Sequence, residues 1–158
     1  MQNTEEALKW IVGILHQENI PFQIAGGFAA RLYGSDRPLY DIDIEIHDED
    51  FGKLLAFVKE KIIYGPGRYK DETFELLLMT LQYDGQAIDI SGCDSDMIFN
   101  QETKAWESCG TDITKAVEQE AYGVKIPIIA WQNLIAYKKK IRRPTDLEDI
   151  KNIQKKFS

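Results

Sequence analysis

Three aspartates of this 158-residue sequence lie in segments that alternate as β-strands do. In residues 41–46 isoleucines occupy one face, while Asp41, Asp43 and Glu45 occupy the other; Asp89 lies between two isoleucines in a later segment. Aspartate is disfavoured in strands, and like charges on neighbouring positions of one face repel each other. The pattern therefore favours a compensating cation, although the plain alternative is a half-buried strand whose acidic face is solvated.

The ligand types indicate which cation would bind. If the two strands are neighbours, Asp41, Asp43 and Asp89 converge on one spot, and oxygen ligands without histidine or cysteine suit Mg²⁺ or Mn²⁺. Residues two apart on a strand are about 6.6 Å apart, close enough to bridge two metal ions about 3.5–4 Å apart. That layout is typical of in-line phosphoryl or nucleotidyl displacement.

A glycine pair, Gly26-Gly27, lies between a predicted strand over residues 22–25 and a predicted helix over residues 28–33. Glycine lets the backbone approach a ligand closely, and the N-terminus of a helix offers free N–H groups to a phosphate. The pair matches neither the dinucleotide motif G-x-G-x-x-G nor a Walker A loop. Taken alone, it is equally well explained as a tight turn.

The elements around these residues predict an α+β (α/β) fold with a mixed sheet flanked by helices. Asn3 caps the first helix, with Glu6 at the capping-box position, and Asp84-Gly85 is typical of a two-residue hairpin. The predicted elements before residue 92 are a helix from after Asn3 to about Glu18, strands over 22–25, 40–46, 74–83 and 86–91, a helix over about 50–61 and a turn at 64–67.

The C-terminal part is predicted to be helical. Residues 92–122 give no clear pattern, and residues 126–129 are extended. A helix over residues 131–141 is broken by Pro144, and Thr145-x-x-Glu148 reads as the capping box of a last helix with the apolar face Leu147, Ile150, Ile153 and Phe157. We expect one domain over residues 1–158, with a core over about 20–95 and a helical part over about 125–158.

Composition excludes several other classes. Lys and Arg number 19 against 26 Asp and Glu, and a net charge of −7 argues against a protein that mainly coats nucleic acid. No apolar run approaches the ~18–20 residues of a membrane span, and residues 1–6 lack the basic segment of a signal peptide, so we expect a cytoplasmic protein. The cysteines Cys93 and Cys109 and the histidines His16 and His47 show no ligand spacing, so neither a zinc site nor a disulfide scaffold is expected.

The glycine pair, thirteen further residues, Asp41-Ile42-Asp43 and the later Asp89 together resemble the nucleotidyltransferase superfamily built around a polymerase-β-like palm. Its signature is a Gly-Gly or Gly-Ser turn, an Asp-x-Asp or Asp-x-Glu pair, and a third acidic residue on a later strand. The segment from Ile126 to Ile150 is similar to the tail of small bacterial members such as lincosamide-type antibiotic nucleotidyltransferases and AbiEii-like proteins.

The resemblance implies roles for individual residues. Asp41 and Asp43 would hold Mg²⁺ (or Mn²⁺), and Asp89 would join them and take the proton of the attacking hydroxyl. Gly26-Gly27 would receive the triphosphate of an NTP. Two cations are candidates for further triphosphate contacts. These are Arg37, four residues before Asp41, and Lys138, which belongs to a basic segment over residues 138–143 of this otherwise acidic chain.

Three functions remain open at this level. The resemblance implies transfer of an NMP group to a hydroxyl of a small molecule, with release of pyrophosphate, by a monomer or homodimer. An alternative is a nucleotidyltransferase that modifies tRNA or a protein, with nucleic acid possible as a partner but not favoured by the net charge. The third possibility is a nucleotide-binding regulator without catalysis.

Overall fold

A computed structural model describes residues 3–157. Met1, Gln2 and Ser158 lie outside the described residues, and so does part of the N-terminal segment that was predicted not to be a signal peptide. Residues 3–157 form five α-helices and one sheet of nine strands. The helices are α1 (Thr4–Gln17), α2 (Gly26–Leu32), α3 (Phe51–Val58), α4 (Trp131–Ile141) and α5 (Pro144–Phe157). The strands are β1 (Phe22–Ala25), β2 (Asp41–Ile46), β3 (Ile62–Lys70), β4 (Phe74–Tyr83), β5 (Gln86–Gly92), β6 (Met97–Asn100), β7 (Ala105–Ser108), β8 (Val117–Ala121) and β9 (Val124–Ile128).

The sheet is mixed, as predicted. Its order is β7-β6-β4-β5-β2-β1-β9-β8, with β3 also paired to β4. Strand β2 runs parallel to β5 and antiparallel to β1, and β1 runs parallel to β9. The Asp84-Gly85 hairpin joins β4 to β5 as antiparallel neighbours. Both strands that carry the aspartates of interest therefore lie side by side in the middle of the sheet.

The period-two pattern decides which face of these strands enters the core. Ile42, Ile44 and Ile46 of β2 are fully buried, together with Ile88 and Ile90 of β5. They pack in one cluster with apolar residues of α1 and α3. The acidic residues of β2 are thereby held on the opposite face of the sheet.

Several local predictions are confirmed at the level of single residues. The side chain of Asn3 caps α1 and accepts a hydrogen bond from the backbone N–H of Glu6 at 3.2 Å. Strand β1 and helix α4 have the predicted bounds. The cap and these two elements depend on capping and short-range periodicity, which the sequence displays directly. Residues 92–122, which give no clear pattern in the sequence, contain β6, β7 and β8.

Two predictions near glycine and proline are wrong. Residues 64–67, predicted as a turn, lie inside β3, where the pairing with β4 shifts register around them. Helix α5 begins at Pro144 and not after Thr145, because proline is well suited to a first helical position that needs no N–H donor. Its apolar face is also narrower than predicted: Ile150 and Ile153 are buried, but Leu147 is 51% exposed and Phe157 41%.

Within the described residues 3–157, no helix combines the length and apolar character that crossing a bilayer requires.

Candidate active site

The three aspartates predicted to converge do so. The parallel register of β2 and β5 places Asp43 directly opposite Asp89, with Asp41 two residues earlier on the same face. Each residue offers a carboxylate oxygen such that these oxygens all lie within 4.8 Å of one another. The sheet register therefore gathers three carboxylates from two separate strands into a single cluster, hereafter the aspartate cluster.

The antiparallel partner strand holds one of these carboxylates in place. Thr80 of β4 lies opposite Asp89, and its hydroxyl donates a hydrogen bond to Asp89 Oδ1 at 2.7 Å. Thr80 was not among the predicted site residues. The hairpin could have identified it, because a two-residue loop at Asp84-Gly85 fixes the register and puts residue 80 across from residue 89.

The aspartate cluster is electrostatically strained in the absence of a cation. Burial and the neighbouring charge of Asp89 raise the pKa of Asp41 to about 6. Burial, with the charges of Asp41 and Asp89, raises the pKa of Asp43 well above its usual range. Removal of carboxylates from water and mutual repulsion both disfavour the ionised forms. A bound divalent cation would reverse both effects.

Within residues 3–157, no lysine or arginine forms an ion pair with Asp41, Asp43 or Asp89; the nearby cations pair with other carboxylates. The donor set is three carboxylates supported by a hydroxyl, which is the oxygen-only chemistry that Mg²⁺ and Mn²⁺ prefer. The residues present therefore fit the metal that the resemblance implies.

The glycine pair packs directly against the aspartate cluster. Gly26 has a positive φ of 58°, and a Cβ at this position would overlap the Asp43 carboxylate. The backbone N–H of Gly27 donates to Asp43 Oδ2 at 3.3 Å. Glycine at position 26 is thus required twice, by its backbone conformation and by the close approach of the aspartate. The pair forms the start of α2 itself, two residues earlier than the predicted helix.

Arg37 borders the other side of the glycine pair. A Cβ built on Gly27 would lie 2.7 Å from Arg37 Nη2. The guanidinium is fixed by a two-point contact with Asp149 of α5, Nε to Oδ1 at 2.7 Å and Nη2 to Oδ2 at 2.9 Å. The structure thus holds Arg37 beside the glycine pair through a residue that the sequence did not connect with it. That Arg37 contacts a triphosphate stays a prediction.

Lys138 is buried, although lysines of a helix are usually solvated. Its side chain is only 1% exposed, and its Nζ lies 2.9 Å from Asp146 Oδ1 and 3.1 Å from Asp149 Oδ2. Arg143 adds a contact to Asp146, Nε to Oδ2 at 2.7 Å. Part of the basic segment thereby neutralises two buried carboxylates. That Lys138 also contacts a triphosphate stays a prediction.

A cavity of about 780 Å³ opens over the aspartate cluster and includes the glycine pair, Arg37 and Lys138 in its wall. Its wall also includes aromatic and apolar residues from β3, β4 and α4, among them Tyr64, Leu78 and Tyr137. Glu45, two residues beyond Asp43, also faces the cavity and accepts a hydrogen bond from Gln23 Nε2 at 2.8 Å. Burial raises the pKa of Glu45 to about 7. The cavity has the volume of a typical small-molecule site.

Solved structures resemble this architecture over nearly the whole chain. A candidate nucleotidyltransferase from Thermotoga maritima superposes with a TM-score of 0.73 at 21% identity, covering 98% of this chain and 96% of that one. The lincosamide antibiotic adenylyltransferase LnuA, solved with lincomycin bound, gives 0.62 at 17% identity, covering 98% and 97%. ANT(2")-Ia, solved with adenylyl-2"-tobramycin, gives 0.62 at 18% identity, covering 99% and 91%.

These similarities establish that the chain has a nucleotidyltransferase-type fold, a mixed sheet flanked by helices, and confirm the predicted fold class. At the level of sequence, no protein-family profile and no curated protein matches the chain.

Proposed function

We propose that the protein is a metal-dependent nucleotidyltransferase that moves an NMP group from an NTP to a hydroxyl of a small molecule and releases pyrophosphate. The observation that carries this proposal is the convergence of Asp41, Asp43 and Asp89 beside the glycine pair, at one wall of a cavity. The fold supports it, since LnuA is named a lincosamide antibiotic adenylyltransferase and ANT(2")-Ia was solved in complex with adenylyl-2"-tobramycin. Fold likeness alone would not suffice.

Asp41, Asp43 and Asp89 would hold Mg²⁺ or Mn²⁺. When bound, the divalent metal would neutralise charge on the phosphates and stabilise the charge that develops during displacement. The protein's own contribution is to present three carboxylates on rigid strands, with Thr80 fixing Asp89 and the glycine pair fixing Asp43. Such preorganisation means that little rearrangement is needed when the reaction occurs.

The triphosphate is proposed to lie beside Gly26-Gly27, between the Asp43 carboxylate, which would hold the metal, and the Arg37 guanidinium. Arg37 would bring positive charge to the phosphates while Asp149 keeps its guanidinium oriented. Lys138 would support that arrangement through its contacts with Asp146 and Asp149, and its own contact with a phosphate is part of the proposal.

The acceptor is proposed to occupy the part of the cavity lined by β3, β4 and α4. Its hydroxyl oxygen would form a bond to the α-phosphorus as the bond from that phosphorus to the bridging oxygen of the β-phosphate breaks. Pyrophosphate leaves with the bridging oxygen and its electron pair, and the hydroxyl proton passes to the Asp89 carboxylate. Positioning of the two reactants accounts for much of the rate in such a step.

The test follows a radioactive label from α-³²P-NTP into products in the presence of Mg²⁺ and a panel of lincosamides and aminoglycosides. We expect a labelled small molecule that depends on one of the four nucleotides. Asp43→Asn should reduce its formation by about 10³-fold or more, since the variant loses both a ligand and a charge.

Glu118→Gln is the matched control, because it removes an exposed carboxylate of β8 outside the cavity and should leave the rate unchanged. Two results would contradict the proposal. One is undiminished labelling by Asp43→Asn. The other is the absence of stabilisation by any Mg²⁺–NTP in thermal unfolding, since a ligand that binds the folded state must stabilise it.

A further inference from the structure

A second group of potential metal ligands lies further along the same two strands. His47 directly follows β2, and Cys93 and Asp94 directly follow β5. Because β2 and β5 are parallel, their C-terminal ends meet at one edge of the structure. A ligand atom from each of the three residues lies within 4.8 Å of the other two. This group, the His–Cys–Asp cluster, has no part in the function proposed above.

Its spacing is that of ligands around a tetrahedral ion. His47 Nδ1 lies 3.1 Å from Asp94 Oδ1 and 3.7 Å from Cys93 Sγ, and Sγ lies 4.0 Å from Oδ1. A tetrahedral zinc site with ordinary bond lengths has its nitrogen, oxygen and sulfur ligands about 3.3 to 3.6 Å apart. The observed separations are within about half an ångström of those values.

The use of a single ring nitrogen argues against a catalytic relay. In a cysteine–histidine–aspartate relay the imidazole contacts the nucleophile through one nitrogen and the carboxylate through the other. Here both Cys93 and Asp94 approach Nδ1 of His47. That nitrogen holds at most one proton and serves one of the two neighbours, whereas a cation at their centre would contact all three ligand atoms.

Hydrogen bonds orient part of the His–Cys–Asp cluster, and two of its three side chains are partly exposed to solvent. The backbone N–H of Asp48 donates to Asp94 Oδ2 at 2.8 Å, which orients the carboxylate and leaves Oδ1 toward His47. Ser95 Oγ in turn donates to Asp48 Oδ2 at 2.6 Å. Cys93 is buried, while the His47 and Asp94 side chains are 34% and 49% exposed. Such outer hydrogen bonds are typical of metal ligands, and the exposed side leaves room for a water as fourth ligand.

We propose that His47, Cys93 and Asp94 form a binding site for Zn²⁺ or a chemically similar borderline-soft divalent ion. A thiolate and an imidazole select such an ion, whereas the three carboxylates of the aspartate cluster select Mg²⁺ or Mn²⁺. The bound ion would join the segments that follow β2 and β5, the strands that carry Asp43 and Asp89. This proposal departs from the expectation that the chain has no zinc site, which rested on ligand spacing, because 46 residues separate His47 from Cys93.

The test uses Co²⁺ as a spectroscopic substitute for Zn²⁺ on the full chain, purified with reductant and freed of metal by a chelator. We expect one equivalent of Co²⁺ to give the visible bands of tetrahedral coordination and a thiolate-to-cobalt charge-transfer band in the near ultraviolet. Zn²⁺, but not Mg²⁺, should displace it. Cys93→Ser should remove the charge-transfer band, and Asp94→Asn should weaken Zn²⁺ binding by at least about tenfold.

Cys109→Ser is the matched control, because Cys109 is the other free cysteine and lies outside the cluster, so this variant should keep the band. Asp41→Asn should also keep it, which separates this site from the aspartate cluster. Circular dichroism of each variant checks the fold, and if Cys93→Ser unfolds, His47→Gln at its more exposed position decides instead. The proposal is overturned if the unsubstituted protein gives no thiolate band, or if the folded Cys93 or His47 variant binds Co²⁺ and Zn²⁺ as the unsubstituted protein does.

Discussion

Burial acts on the aspartates of the sheet and on those of helix α5, yet their pKa values shift from the ordinary value in opposite directions. In the aspartate cluster, burial and mutual repulsion raise the pKa of Asp41 to about 6 and that of Asp43 well above its usual range. For Asp146 and Asp149, burial acts in the same direction, but hydrogen bonds from Arg143 and Arg37 outweigh it, and their pKa values are lowered.

The difference comes from which carboxylates the protein supplies with its own cations. Lys138 contacts Asp146 and Asp149 together, and Arg37 and Arg143 complete their ion pairs. The aspartate cluster has no such partner among residues 3–157, although the same cations lie around the same cavity. Asp146 and Asp149 are therefore neutralised by cations of the protein itself, whereas neutralisation of the aspartate cluster would need a cation from solution. The following predictions test this contrast.

Removal of Asp149, one of the two buried aspartates of α5, should have the largest effect on stability. Asp149→Ala leaves Arg37 and Lys138 without a shared partner, and breaking a buried ion pair typically costs about 3–5 kcal/mol. Urea unfolding measures the loss. Glu148→Ala, at an exposed position of the same helix, should change the free energy of unfolding by no more than about 0.5 kcal/mol. If Asp149→Ala lowered the free energy of unfolding by less than about 1 kcal/mol, the ion pairs of Asp149 would not stabilise the fold as proposed.

Removal of a carboxylate from the aspartate cluster should increase the free energy of unfolding, in contrast to Asp149→Ala. Without divalent metal, the raised pKa values mean that the folded state retains protons that the unfolded chain releases, so stability is present below about pH 4 and lost as pH rises through about 6. Asp43→Asn should therefore increase the free energy of unfolding at pH 8, and much less at pH 4.5. Denaturant titrations with chelator at both pH values measure this, and equal changes at the two would count against it.

Mg²⁺ should stabilise the folded protein by neutralising the repulsion between the carboxylates of the aspartate cluster. At ten times its dissociation constant, an ion that binds only the folded state adds about 1.4 kcal/mol, a rise in melting temperature of roughly 3–6 °C. Asp43→Asn should lose this rise, whereas Glu118→Gln should keep it. If Asp43→Asn kept the full response, the ion would have to bind elsewhere.

The smallest effect is expected for a partly exposed ion pair. Lys140 Nζ lies 3.0 Å from Glu107 Oε2, and the two side chains are 40% and 34% exposed. Lys140→Ala should lower the free energy of unfolding by less than about 1 kcal/mol, and added salt should reduce even that. Comparison of this variant with Asp149→Ala in the same urea titrations measures how far burial, and not pairing alone, sets the energy.

Local sequence patterns were sufficient to place the residues on their elements and faces. Asn3 and Glu6 marked the start of α1, the alternation in residues 41–46 put the aspartates opposite the core, and Asp84-Gly85 specified a hairpin. Each of these signals lies within a few residues of chain, where capping, periodicity and turn conformation act. The predictions that were wrong, the turn at residues 64–67 and the cap at Thr145, concern proline and glycine, which suit more than one local structure.

The sequence by itself therefore determined which side chains could bind a cation and which face of the sheet would carry them. Tertiary structure alone decided their partners: that Asp43 lies opposite Asp89, that Arg37 is held by Asp149 from 112 residues away, and that Lys138 is buried between two carboxylates. The physical reason is that periodicity fixes the direction of a side chain relative to its own element. Pairing of charges depends on which elements pack together, and so does the pKa of each carboxylate.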